Sequence, residues 1–215
     1  SGGKDGEVNS AAYSTYLTNI EPYNFDSMLY DGEDATVKNA METFIKRVNT
    51  ELGRFSQLVE ANATNPDTRF IVNVCSGLVM NDGTTLTPKE TVWWVGGALS
   101  GATYGNDLTN AVVPNAVDIS PKMTHNQYVD AINSGKFVFN ADDGTVRVEY
   151  DINSLVTYTS EIGEVYRYNR TMRLCNTIAN DLYKQFAQSY VGIVDNTKDG
   201  RRQYKSAIVK YLNDI

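Results

Sequence analysis

Residues 25–76 read FDSMLYDGEDATVKNAMETFIKRVNTELGRFSQLVEANATNPDTRFIVNVCS. In the middle of this stretch Val37, Ala40, Met41, Phe44, Ile45, Val48 and Leu52 recur three and four residues apart. That spacing puts them on one face of a helix from Thr36 to Leu52. Asp34 stands where an N-cap belongs and Gly53 where the helix should stop. The flanking FDSMLY (25–30) and FSQLVEA (55–61) read as strands. RFIVNVCS (69–76) is nearly all apolar and β-branched, as strands buried on both faces are. The order strand–helix–strand–strand predicts a layered α/β sheet.

Working outward, Asn9–Leu17 reads as a short helix and residues 77–86 as a hairpin turning at Asn81-Asp82-Gly83. Thr87, Pro88 and Glu90 form a helix-starting capping box. The helix that follows contains TVWWVGGALSGATYG (91–105) and is apolar on every side, which predicts burial. Its glycines do not form a phosphate loop, because no Lys follows them and no strand immediately precedes them. Gly97-x-x-x-Gly101 is therefore expected to let another backbone come close, with Trp93 and Trp94 as core anchors.

Further on, residues 110–120 are strand-like and Thr124–Gly135 is a short capped helix. Residues 136–153 read as a hairpin turning at Asp142-Asp143-Gly144, with Val146, Val148 and Tyr150 alternating against polar residues. A long amphipathic helix spans Gly163–Val191, and a last one starts near Asp199. The fold class is α/β (α+β). The two prolines at 114 and 121 suggest a boundary, giving units of 1–115 and 116–215.

The 215 residues carry a net charge of −7 with 41% hydrophobic side chains, enough for a packed core. The acidic balance disfavours general nucleic-acid binding. The sequence shows no apolar run of the ~20 residues that span a membrane and no signal peptide. The charge is uneven: residues 1–159 hold 10 Lys+Arg and 20 Asp+Glu, whereas residues 160–215 hold 9 and 6. An acidic body with a basic C-terminal end suggests complementarity between copies or with an acidic partner. The chain opens without Met and closes inside an amphipathic helix, so it reads as a piece of a longer protein.

No catalytic constellation stands out. The single histidine, His125, falls in the first turn of a short helix. Cys75 and Cys175 lie in apolar patterns and read as free buried thiols. Glu33/Asp34 and Asp142/Asp143 sit in turns, where Asp is favoured for local backbone bonding. No metal site and no cofactor is expected. The candidate functional residues are basic: Arg167, Arg170 and Arg173 on the long helix, and Arg201, Arg202 and Lys205 at the start of the last. They are candidate anchors to another subunit or to an inner tube, set against the plainer reading of solvated helix faces.

An ordered set of segments carries a family resemblance. These are GGKDGEV (2–8), LVMNDGTTLTPKETVWWVGGALSGA (78–102), AVVPNAVDISPKMT (111–124), SGKFVFNADDGTVRVEYDINSLVTYT (134–159), VYRYNRTMRLCNTIANDLYKQF (165–186) and YVGIVDNTKDGRRQYKSAIVKYLNDI (190–215). Together they resemble the tail sheath proteins of contractile-tailed bacteriophages and of phage-derived bacteriocins, over essentially the whole chain.

The resemblance implies the later part of an α/β sheath domain followed by a tube-facing C-terminal domain lacking its final strands. It implies a structural role and no enzyme. Hexameric rings would stack as a helical sheath around an inner tail tube, between baseplate and tail terminator. The sheath would belong to the virion tail and be assembled in the host bacterial cytoplasm. No nucleic-acid or membrane partner is implied. With the N-terminal arm and final strands missing, this stretch alone is expected to be largely monomeric. An α/β hydrolase or ligand-binding enzyme is the alternative from another class. It would need a concave pocket with convergent polar groups, whereas a sheath piece would show flat charged faces and unpaired sheet edges.

Overall fold

A computed structural model describes residues 9–215; the GGKDGEV segment lies outside them. The first half alternates as expected: α1 (Ser10–Ile20), β1 (Ser27–Tyr30), α2 (Ala35–Thr50), β2 (Gln57–Ala61) and β3 (Ile71–Val74). Asp34 caps α2, its carboxylate accepting from Thr36 N at 2.7 Å and Val37 N at 3.2 Å. Gly53 follows α2 with φ +63°, a left-handed conformation that suits glycine.

β1, β2 and β3 pair in parallel, and β7 (Lys136–Phe137) joins beyond β3 in the order β1-β2-β3-β7. Side chains alternate across this sheet. Met28, Tyr30, Leu58 and Ile71 meet α2 through Met41, Phe44, Ile45 and Val48. Val59, Ala61, Val72 and Val74 point to the opposite face and a second cluster. Both faces are covered, which is why β3 carries so little polar patterning.

The second cluster is closed by β4 (Gly77–Met80), β5 (Thr85–Leu86), α3 (Pro88–Gly101), β6 (Ala116–Ser120), β8 (Phe139–Asp142) and β9 (Thr145–Val148). β4 pairs antiparallel with β5 and β6, and β8 with β9. A side chain at Gly77 would collide with the carbonyls of Leu86 and Ser120, so this strand needs glycine for close backbone approach. The short helix is α4 (His125–Asn133), held by the expected Thr124/Gln127 capping box. Its exit is Gly135, at φ +68° and with Ser154 backbone 2.8 Å from where a Cβ would sit.

Three expectations are corrected. The predicted 136–153 hairpin is shorter, because Lys136–Phe137 leaves to pair with β3 and only β8 and β9 form the ribbon. Residues Phe137, Val138 and Phe139 are all buried, so this run lies inside the core rather than having one solvent face. Tyr150, expected to continue the alternation, is exposed.

The chain also does not divide at 115/116. β6 pairs with β4 and β7 with β3, so strands from beyond that point complete the sheets before it. Pro114 and Pro121 bracket one strand of a shared sheet, not a linker. The division between compact units falls instead between Arg173 and Leu174.

The third correction concerns α3. Its inward face is Thr91, Val92, Val95, Gly96 and Leu99. Trp94 is a core anchor, edge-on to Phe139 at 5.6 Å between ring centroids. Trp93 is not: it is 60% exposed, with its ring N–H donating to Asp31 at 3.1 Å. Gly97 and Gly101 face open space, while the close approach is at Gly96, where a Cβ would collide with the Leu29 side chain. A helix apolar all round gives no polar stripe to mark its outer face, so periodicity could not choose among adjacent glycines.

This yields a paired expectation. Gly97→Ala meets nothing and gains helix propensity, raising stability by up to ~1 kcal/mol. Gly96→Ala overpacks against Leu29 and lowers it by about 1–3 kcal/mol. Urea unfolding of both variants checks the assignment, which fails if the two shift in the same direction.

After a 3₁₀ turn at Glu164–Arg167 come α5 (Asn169–Ser189) and α6 (Lys198–Asp214). Residues 174–215 form the second compact unit, a helical hairpin. Phe186, Tyr190 and Tyr204 cluster with centroids 4.8–6.2 Å apart. The Tyr204 hydroxyl donates to Leu182 O at 3.2 Å, and that of Tyr211 to Asp181 Oδ2 at 2.8 Å. Thr197 caps α6 through Gly200 N, and Gly200 is buried where a side chain would strike the Asp195 carbonyl.

Candidate interface

The six basic residues singled out in the sequence do not form one patch. Arg173 is internal: its side chain is only 10% exposed, and its guanidinium pairs with Asp151 Oδ2 at 2.7 Å and donates to Asn106 O at 2.6 Å. Arg167 also bonds within its own chain, donating to Ile132 O and to the Tyr158 hydroxyl at 3.4 Å. Arg170, between them in sequence, is exposed. Arg201, Arg202 and Lys205 are exposed on the first two turns of α6, with Arg202 reaching Asp199 at 3.4 Å. Arg167 ends the 3₁₀ turn at Glu164–Arg167, whereas Arg170 and Arg173 lie in the α-helix Asn169–Ser189, and of the three only Arg170 is exposed.

The residue that sequence reasoning missed is Asp151, which is 1% exposed. Its carboxylate accepts from Asn169 Nδ2 at 2.9 Å, Leu108 N at 3.1 Å and Arg173 Nη2 at 2.7 Å. Asn169 in turn accepts from Gln57 Nε2 at 3.0 Å, so β2, the 106–109 loop and the first turn of α5 share one buried polar network. The available signal was an Asp followed by apolar Ile152 with no turn residue beside it. Such an Asp belongs in a core only when paired.

Titratable groups elsewhere are shaped by burial. The Cys75 thiol is pushed up to about 11 by burial, against the pull of Lys136. That is the reverse of an activated nucleophile. Cys75 and Cys175 are free, and both are half-buried rather than fully buried. His125 is exposed in the first turn of α4. Asp118 lies below the usual carboxylate range because Lys122 bonds to it and Ile119 N donates to it. Between α5 and α6 an open groove of about 490 Å³ is lined by mixed charge, Asp181, Lys184, Lys210 and Asp214 among its residues.

The outer surface of α3 is the other exposed feature. Glu90, Trp93, Gly97, Gly101 and, past the helix end, Tyr104 are all exposed. Across this face acidic and aromatic side chains surround bare backbone.

Residues 6–154 match the family described as phage tail sheath protein central domain, and residues 161–215 match the phage tail sheath C-terminal domain. The chain belongs to the phage tail sheath family. It is 34% identical, over its full length, to the phage-like element PBSX protein XkdK of Bacillus subtilis (strain 168), of which it covers 48%. It is 22% identical over 93% of its length to the tail sheath protein of Clostridium phage phiCD119, covering 55% of that protein. The chain thus spans about half the length of the curated relatives it matches.

Among solved structures, it superposes on the sheath tail protein of Desulfitobacterium hafniense with a TM-score of 0.93 at 34% identity, covering 99% of this chain and 50% of that one. The sheath tail protein of Listeria innocua gives 0.90 at 29% identity, with 99% and 50% covered. The helical sheath of the anti-feeding prophage in its contracted state shares the fold at 16% identity, with a TM-score of 0.72 over 98% of this chain and 60% of that one. The α/β architecture read from the sequence is therefore that of the tail sheath family.

Proposed function

We propose that this chain is part of the sheath subunit of a contractile tail. Copies of the whole subunit stack as six-fold rings around an inner tail tube, between baseplate and tail terminator, and move to a second packing on contraction. The sheath is a structural, non-enzymatic part of the virion tail, assembled in the host cytoplasm, and the same chain would serve a phage-tail-like bacteriocin. The observation that carries this reading is the ordered match of both sheath domains over residues 6–154 and 161–215.

The C-terminal unit supplies the basic contact. Arg201, Arg202 and Lys205 are exposed and project from a chain that is otherwise acidic, so they suit an acidic surface on the tube or on the next subunit. Arg170 is the exposed member of the other basic set. Arg167 and Arg173 are committed to their own chain and support the fold rather than the contact.

The test is negative-stain microscopy of the longer protein that contains this stretch. Tubular polysheaths are expected, and particles that stay monomeric at micromolar concentration would sink the reading. Reversing Arg201, Arg202 and Lys205 to Glu should abolish or shorten the tubes. Normal tubes from that triple variant would remove these residues from the contact.

A further inference from the structure

α3 and α6 carry exposed stripes that are complementary in chemistry and share the spacing of their first three residues. On α3 the stripe runs Glu90, Trp93, Gly97, Gly101, at helical intervals of three and four. Its acidic end is strengthened by Asp31, which holds the Trp93 ring N–H. Its middle is bare backbone, since a Cβ at Gly97 or Gly101 would touch nothing.

On α6 the exposed stripe runs Arg202, Lys205, Val209, Leu212. Val209 is 49% and Leu212 47% exposed, two apolar side chains with no cover on a helix that already turns Tyr204, Ala207, Ile208 and Tyr211 inward. Both stripes begin charged and end apolar or bare, in the same chain direction.

We propose that the α6 stripe of one copy docks in parallel on the α3 face of a second copy. The register follows from the first three positions of each stripe, which share steps of three and then four; Leu212 falls one residue short of the level of Gly101. Arg202 meets Glu90 as an ion pair. Lys205 meets the exposed face of Trp93, where a cation is attracted by the ring quadrupole. Val209 rests on the bare backbone at Gly97, and Leu212 beside Gly101, where missing side chains let two helices approach closely. The occupant is a second copy because the complement is written in this chain: an acidic, aromatic notch on α3 and a basic, apolar ridge on α6. This rests on the sheath reading and names the surface its basic residues meet.

The test mixes single-cysteine chains in a background with Cys75 and Cys175 replaced by alanine. Gly97→Cys and Val209→Cys are both at open positions. Oxidation of the mixture should give a disulfide-linked heterodimer at least several-fold above a control mixing Gly97→Cys with Val129→Cys, an exposed position on α4. Glu90→Arg should suppress the product, and Arg202→Glu on the partner should restore it.

A yield equal to the control overturns the proposal. So does a predominant Gly97→Cys homodimer, which would mean that α3 meets α3. Repeating the cross-link in tubes of the longer protein separates the two readings: tubes without the link sink this contact alone, whereas absence of tubes removes both.

Discussion

Asp151→Ala lowers the free energy of unfolding by about 3–5 kcal/mol, the cost of leaving a buried charge unpaired. Asp151 and Arg173 are 1% and 10% exposed at their side chains and 2.7 Å apart. Removing the carboxylate strips Arg173 of its counter-charge and leaves Asn169 Nδ2 and Leu108 N without an acceptor. A single domain has only about 5–15 kcal/mol in total, so the loss is a large share. Because the network reaches β2 through Gln57, the effect should appear as one cooperative shift of the urea midpoint, not as fraying of α5. Asp151→Asn should fall between the parent and the alanine variant, since it retains a carbonyl acceptor while giving up the charge. A loss below about 1 kcal/mol for Asp151→Ala would place the pair in the ordinary range of surface substitutions and overturn its structural role.

The second large effect is a pH dependence traced to one residue. Glu60 lies in β2 on the face covered by α2 and is fully buried. Neither of its carboxylate oxygens has a hydrogen-bond partner among the described residues. Burial first, then the Glu42 carboxylate, push its pKa from 4.5 up to about 8, with Lys38 and Lys46 pulling the other way. Lys38 is diverted, its ammonium donating to Ala61 O at 2.5 Å, and Lys46 pairs with Glu42 at 3.6 Å.

The folded state therefore holds a proton that the unfolded chain releases near 4.5. The stabilisation linked to that proton is complete below about pH 4.5, is lost as pH rises, and is gone above about 8. The slope in that window reaches about −1.4 kcal/mol per pH unit, so the total is several kcal/mol. The urea midpoint of the parent should fall between pH 5 and pH 8.5, and Glu60→Gln should remove most of that fall. Equal falls in parent and variant would exonerate Glu60.

Glu60 and Asp151 show where sequence reading stops. Both stand in patterns that look locally ordinary: Glu60 inside FSQLVEA, Asp151 after a run of alternating valines. What makes each unusual is burial from both sides, and that depends on α2, α5 and the 106–109 loop arriving from elsewhere in the chain. Arg173 is the same lesson in reverse. In the sequence alone it reads as a surface anchor, because Arg at three-residue intervals resembles a charged face. Only the placement of Asp151 turns it inward.

The glycines of α3 show a finer limit. The capping box, helix type and absence of a phosphate loop were all legible, because each depends on neighbours within a few residues. Which of Gly96, Gly97 and Gly101 lies against another chain segment was not, because the helix offers apolar residues in every direction. Leu29, some sixty-seven residues before Gly96, decides it.

The sequence by itself determined the α/β class, the α2 helix and the turns at Gly83, Gly135 and Gly144, since period, cap and turn chemistry act over short range; the resemblance to the sheath family rested on its ordered segments instead. The tertiary structure alone decided that β6 and β7 complete earlier sheets, that Arg167 and Arg173 serve their own chain, and that Trp93 faces out while Trp94 faces in. Those outcomes turn on which distant segments meet. Local backbone preference does not encode that, whereas burial of apolar area and pairing of buried charge do.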